Sequence, residues 1–394
     1  MQAKLSVVAL SVVAAFALSA CGQKEEPKPV AAPAPAAKPE IVVKIGHVAP
    51  MTGPQAHLGK DNENGARLAI DELNAKGVEI GGAKVKLELV PEDDQSDPKQ
   101  GTIVAQKLVD AKVSGVIGHL NSGTTIPASK IYFDAGIPQI SPSATNPKYT
   151  QQGFATAFRV MANDVQQGKV LGEYAAKQLA GKTIAIIDDR TAYGQGLADE
   201  FEKAVKANGG EVVKREFTTD KATDFAAILT TLKATNPDVV FYGGADAQSA
   251  PMAKQMKRLG LKAPLVSGEM TKTPTFLKLA GKEAEGSIAS LAGLPLDQMP
   301  KGKDYETRYK ARFNADVATY SPYGYDATRV VIEAMKKANS VEPSKYLPEL
   351  AKIEYAGVTS SSWAYDDKGD LKDGGITVYK VENGEWKVMQ TIGK

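Results

Sequence analysis

Short apolar runs of strand length alternate with helical stretches through most of this chain, and that alternation limits the fold to parallel sheets built from strand–helix–strand units. The rhythm opens with IVVKIGHVAP at 41–50. A helix follows over 64–77, with Ala66, Ala69, Ile70 and Leu73 on one stripe and Gly77 as its C-cap. Val85, Leu87 and Leu89 alternate with Lys86 and Glu88 as a strand with one solvated face. A helix over 98–112, a strand over 115–120, a helix over 125–135 and a strand over 137–142 complete a first run. The pattern then restarts: helices at 166–179, 196–208, 224–234, 250–260 and 273–279 alternate with strands at 183–189, 211–217, 238–244 and 264–269. Two runs predict two similar lobes. Helices over 305–313 and 325–339 and a hairpin over 376–392, turning at Asn383-Gly384, close the chain, the hairpin at a sheet edge.

Length agrees with two lobes, because 394 residues exceed what one hydrophobic core usually serves. With 48 basic against 46 acidic residues and no basic block with interleaved aromatics, nucleic acid is excluded as a partner. One cysteine allows no internal disulfide, and the three histidines, His47, His57 and His119, lack metal-ligand spacing. No metal and no cofactor are expected. His47, inside an apolar strand, reads as a satisfied core histidine.

The first twenty residues are a targeting segment, with Lys4 before an apolar run too short to span a bilayer comfortably. It ends in Leu18-Ser19-Ala20-Cys21-Gly22, which resembles the lipobox of bacterial lipoproteins, and the resemblance implies a lipid on Cys21. Residues 21–40 are rich in Pro, Ala, Lys and Glu and read as an extended tether between membrane and domain.

Where two strands end in neighbouring small-residue loops, an open α/β sheet binds its ligands. Asn121–Thr125 and Ser141–Asn146 are two such loops, supplying hydroxyls and backbone N–H groups but no strong acid or base. That chemistry suits binding better than catalysis. Glu269 stands at the end of a second-run strand beside Ser267 and Gly268, placed either to pair with an ammonium group or to act as a helix cap. Enzymatic motifs fail on context. Residues 176–183 match a loose phosphate loop, but they close a helix and open a strand, and Gly181 reads as a C-cap. Tyr193-Gly194-Gln195-Gly196 opens a helix, yet Asp199 replaces the third glycine of a dinucleotide loop. No Gly-x-Ser-x-Gly elbow or nucleophile–base pair occurs, so the chain is not expected to be an enzyme.

KIGHVAPMTGP, NGARLAIDELNAKG, EDDQSDPKQ, VIGHLNSGTTIPAS, GIPQISPSATNP, AYGQGLADEF and DDKGDL, in this order, resemble the Leu/Ile/Val-type solute-binding proteins of ABC transporters, of the type I periplasmic binding protein class. The resemblance implies an α/β fold of two doubly wound parallel-sheet lobes joined by a three-crossover hinge, with 41–162 plus 293–370 in one lobe and 163–292 plus 371–394 in the other. It implies that Ser122 holds a ligand carboxylate, that the Ala144 carbonyl and Thr145 hydroxyl accept from its ammonium, and that Glu269 supplies the counter-charge. Tyr193 matches a pocket tyrosine. Leu58 stands where those receptors have a tryptophan, and Ala245 followed by Asp246 where they have a tyrosine. The side-chain pocket is therefore expected to be rebuilt, with Asp246 facing a polar or cationic group. The implied protein sits in the periplasm on a lipid anchor and hands an amino acid to an ABC permease in the inner membrane. A sensory module for an amide, urea or small peptide is the other reading.

Overall fold

The computed structural model describes residues 38–393; the expected leader, Cys21 and the tether up to residue 37 lie outside the described residues. Two sheets organise the rest. The first runs Val78–Ile80, Ala83–Asp93, Glu40–Ala49, Val116–Gly118, Gln139–Ser141, Ala157–Arg159 across its width, parallel except at the Val78–Ile80 edge. The second runs Glu385–Ile392, Ile376–Glu382, Ile288–Leu291, Leu265–Ser267, Val239–Gly243, Thr183–Asp188, Glu211–Phe217. Its first three strands pair antiparallel and the others parallel. The C-terminal hairpin therefore does edge a sheet, turning at Asn383 and Gly384, both at positive φ as a primed turn requires.

Parallel strands with both faces covered read as continuous apolar runs, and Ile184 to Ile187 and Val239 to Tyr242 are fully buried accordingly. His47 is buried in its strand with Nε2 against Asn62 Oδ1 at 3.1 Å, and burial lowers it to about 4, so it stays neutral. Gly181 is not the left-handed cap: Ala180 takes that role at φ 50, after the helix Asp164–Glu173 widens into a π-turn over Tyr174–Gln178. Gly181 is small because a Cβ there would lie 2.9 Å from the Ala175 carbonyl. A helix over Pro343–Ala351, not foreseen, continues the tail.

Several helices begin earlier than their periodicity predicts, although those at Pro98, Ala226 and Pro274 do not. The first is Ala56–Lys76, not 64–77; the others of interest are Ser122–Asp134, Ala192–Ala207 and Asp246–Arg258. Their opening turns are rich in Ser, Thr, Gly and Ala, which carry little helical apolar signal. The shift matters, since it puts Leu58, Ser122, Tyr193 and Asp246 in first turns, pointing at the space between the sheets.

One buried carboxylate fixes the tail on this frame. Asp61, in the first helix, accepts from the backbone N–H groups of Ala318 (3.2 Å), Thr319 (3.0 Å), Tyr320 (2.7 Å) and Ser321 (3.0 Å) and from the Tyr309 hydroxyl (3.1 Å). It caps the helix Ser321–Lys337 from outside that helix, at the end where negative charge is favoured. Beside it Gly65 lets the two helices touch: a Cβ would lie 2.0 Å from the Ser321 carbonyl oxygen. Asp61→Ala should cost about 3 kcal/mol, because buried N–H groups lose their charged acceptor; urea unfolding of the two proteins measures it.

Candidate functional site

The two hydroxyl-rich loops are stitched together by their own side chains. Ser141 Oγ donates to the His119 carbonyl (2.9 Å) and accepts from the Ala144 N–H (2.9 Å), while Ser143 Oγ donates to the Leu120 carbonyl (3.1 Å). Ser122 opens the helix Ser122–Asp134 and its Oγ accepts from the Asn146 N–H at 3.2 Å. Ser141 and Ser143 thus serve the scaffold. Thr145 does not: its buried hydroxyl has no hydrogen-bond partner.

Arg159, fully buried, pins the second loop from behind. Its Nη1 donates to the Ala144 carbonyl (2.6 Å) and the Asn146 carbonyl (3.1 Å), its Nη2 to Thr150 Oγ1 (3.0 Å), and its Nε to Asp370 Oδ1 (2.7 Å). The Ala144 carbonyl, expected to face a ligand ammonium, is therefore already engaged by a guanidinium.

Across the gap stands Glu269, 1% exposed. Its Oε2 accepts from Gln167 Nε2 (2.7 Å) and from the Tyr193 hydroxyl (2.9 Å). The same Gln167 nitrogen donates to Asp164 Oδ1 at 3.1 Å, so two carboxyl groups flank one amide. Gln167 is held in turn by Ser290 Oγ, which donates to its Oε1 at 2.7 Å. Asp164 follows Asn163, whose side chain caps the helix Asp164–Glu173 in a capping box with Gln166. The Asp164 N–H donates to the Thr145 carbonyl (2.9 Å), bringing the Thr145 hydroxyl beside both carboxyl groups, whose ionised forms it favours. Burial raises Glu269 well above the ordinary carboxylate range, against the pull of its donors, and burial together with the charge of Glu269 does the same to Asp164. Among the described residues no Lys, Arg or His forms an ion pair with either carboxylate.

Leu58 is fully buried and shares one apolar cluster with Tyr193, Ala245, Met270 and Tyr320, residues drawn from both halves. Asp246 does not stand free for a ligand. His57 Nε2 lies 2.7 Å from its Oδ2, and Thr273 Oγ1 donates to the same oxygen at 2.6 Å, while Oδ1 has no partner. Asn146 Nδ2 also crosses the gap, donating to the Ala192 carbonyl at 2.6 Å. The two halves thus touch in a closed arrangement, with a groove of about 400 Å³ between Asn121 and Gly123 on one side and Tyr193, Ala245 and Met270 on the other.

The structure brings Thr145, Tyr193 and Glu269 together, ties Ser122 to the neighbouring Asn146, and buries Leu58 and Asp246. Arg159, Asp164, Gln167 and His57 were not foreseen. The Asn163-x-x-Gln166 capping signature was in the sequence and marks a helix start at Asp164. Nothing local marks Arg159, whose partners are far away in the chain.

Two doubly wound lobes facing each other across a buried polar cleft define the class of bilobal extracytoplasmic solute receptors. The chain belongs to the periplasmic binding protein family, whose model matches residues 42–385. It is 36% identical over 345 residues to the Leu/Ile/Val-binding protein homolog 1 of Brucella suis, covering 88% of this chain and 91% of that one. It is 34% identical over 338 residues to the leucine-, isoleucine-, valine-, threonine-, and alanine-binding protein of Pseudomonas aeruginosa, covering 86% and 89%. The crystal structure of the leucine binding protein LivK from Thermotoga maritima matches with a TM-score of 0.83 at 27% identity, covering 89% of this chain and 98% of that one. LivJ from Streptococcus pneumoniae in complex with isoleucine matches with a TM-score of 0.81 at 27% identity, covering 90% and 100%.

The His57–Asp246 pair has a pH signature. Burial opposes the charge on His57, but the Asp246 hydrogen bond and charge prevail and raise it above the ordinary histidine value. A raised folded-state value stabilises at low pH, and the gain is lost as pH rises through it. The melting temperature of the wild type should exceed that of His57→Gln at pH 6, and the gap should shrink by about pH 9.

Proposed function

We propose that this protein captures an L-amino acid with a branched or other aliphatic side chain between its lobes and delivers it to an ABC permease. The observation that carries this reading is Glu269: a buried carboxylate with Tyr193 and Gln167 as donors, no basic side chain paired to it among the described residues, and the Thr145 hydroxyl beside it. A ligand ammonium answers that need, since a buried charge is tolerated only when paired. Ser122, at the start of a helix, is suited to the ligand carboxylate through its hydroxyl and the free N–H groups there. Tyr193, Ala245 and Met270 on the groove wall are suited to an aliphatic side chain. The names of the relatives point the same way.

Closure is the working motion in this reading. The division into 41–162 plus 293–370 and 163–292 plus 371–394 is supported by which strands share a sheet, and it leaves the ligand touching both lobes only when they meet. The family's role outside the cytoplasm accords with the N-terminal leader, and we place the lipid anchor on Cys21.

Calorimetric titration of the mature protein with all proteogenic amino acids tests the reading. Micromolar or tighter binding of leucine, isoleucine or valine is expected, and silence across the panel would overturn it. Glu269→Gln should weaken the tightest of these more than tenfold, the loss of one charged hydrogen-bond partner; an unchanged dissociation constant would remove the role assigned to Glu269.

A further inference from the structure

We infer that Asp164 is a second carboxylate of the ammonium pocket, that it shares one proton with Glu269 while the pocket is empty, and that an arriving ligand ammonium expels this proton to solvent. The inference rests on the amino-acid reading of the site and adds a stoichiometric proton to it.

Three observations converge. Asp164 and Glu269 are both fully enclosed and flank a single nitrogen, Gln167 Nε2, at 3.1 and 2.7 Å. Asp164 Oδ2 is completely buried without a well-formed hydrogen bond, the Thr145 hydroxyl lying beside it. Such orphaned acceptors are costly, and they point to a donor-bearing group that belongs there. An ammonium has three N–H donors, enough for Glu269, Asp164 and the Thr145 hydroxyl at once. The Ala144 carbonyl is meanwhile shared with the positively charged Arg159, which makes it a poorer acceptor for an ammonium than a carboxylate.

The charges around the pair define its resting state. Tyr193 and Gln167 face Glu269 and offer neutral hydrogen bonds, and Tyr320 lies near both carboxylates and near Asp246 and Asp61 as a neutral phenol. Arg159 acts on Asp164 from a distance, its own donors spent on carbonyls, Thr150 and Asp370. Two like charges this close in a dry site cannot both stay ionised, so one proton remains on the pair. Burial pushes both groups up from the carboxylate range, and the charge of Glu269 adds to the rise at Asp164. When R–NH3⁺ enters, the positive charge takes over the proton's place: the protonated pair plus R–NH3⁺ gives the doubly ionised pair bound to R–NH3⁺ plus one H⁺ in solution. No bond of the ligand changes.

The sign follows. A bound state that holds one proton fewer is favoured as pH rises, until the empty pair has lost the proton by itself. Affinity should climb by up to about tenfold per pH unit below that point and then level off.

The test is calorimetric titration of the wild type with L-leucine at pH 7 in phosphate and in Tris, whose ionisation enthalpies differ widely. The expected result is a binding enthalpy that differs between the buffers by an amount equal to about one proton released per leucine. Asp164→Asn should still bind leucine, with an enthalpy difference between the buffers smaller than that of the wild type, because Glu269 alone remains raised by burial. Wild type that binds leucine with equal enthalpy in both buffers overturns the inference and leaves the amino-acid reading standing; this arm does not depend on the variant folding. Failure of the wild type to bind leucine or any other proteogenic amino acid overturns the reading itself.

Discussion

Everything at the site depends on one buried guanidinium. Arg159 ends the last strand of the first sheet, and from there it gathers two loop carbonyls, a threonine hydroxyl and a carboxylate from a segment more than two hundred residues away in the chain. A charge without water is costly unless every donor finds an acceptor, and here the requirement is met by the loop Ala144–Asn146 on one side and Asp370 on the other. The loop conformation that presents Thr145 to the cleft and the docking of the returning chain are therefore set by the same side chain. Asp61 does for the tail helices what Arg159 does for the loop, with signs reversed: one buried carboxylate collects backbone donors that would otherwise be orphaned.

Both are polar solutions to a problem of topology. Loops at the carboxyl ends of parallel strands cannot satisfy their backbone through sheet pairing, yet they must stay rigid enough to define a pocket. This chain meets the demand with serines that tie loop to loop, and with full charges at the points where two distant segments meet. The hydroxyls at Ser141 and Ser143, which look in sequence like ligand groups, are consumed this way. Thr145 is left over, and it is the one that faces the carboxylates.

The alternation of apolar runs and helices made the two sheets and the edge hairpin legible, because buried parallel strands and amphipathic helices leave periods that survive any context. Helix starts were not legible: the opening turns hold Ser, Gly, Thr and Ala, whose helicity comes from tertiary contacts instead of from an apolar stripe. Ser122 and Asp246 consequently fall before the expected helices, although both are helix openers. Glu269 could be picked out by its position after a strand, but Asp164 could not, since its significance lies in sharing Gln167 with a residue a hundred positions on. His57 and Asp246 were each visible and their pairing was not. Pairwise chemistry between the halves is written in no local window.

The closing hairpin also orders the folding of the molecule in time. Every strand of the first sheet falls within residues 40–159, so that sheet can assemble as soon as this stretch of chain is present. The second sheet cannot: Ile288–Leu291 keeps a bare edge of unpaired N–H and C=O groups until Ile376–Glu382 arrives from the far end of the chain. The intervening tail helices are secured to the other half through Asp61 and Gly65. A chain built this way stays half finished until its last strands are available, and its most adhesive edge is the last surface to be covered.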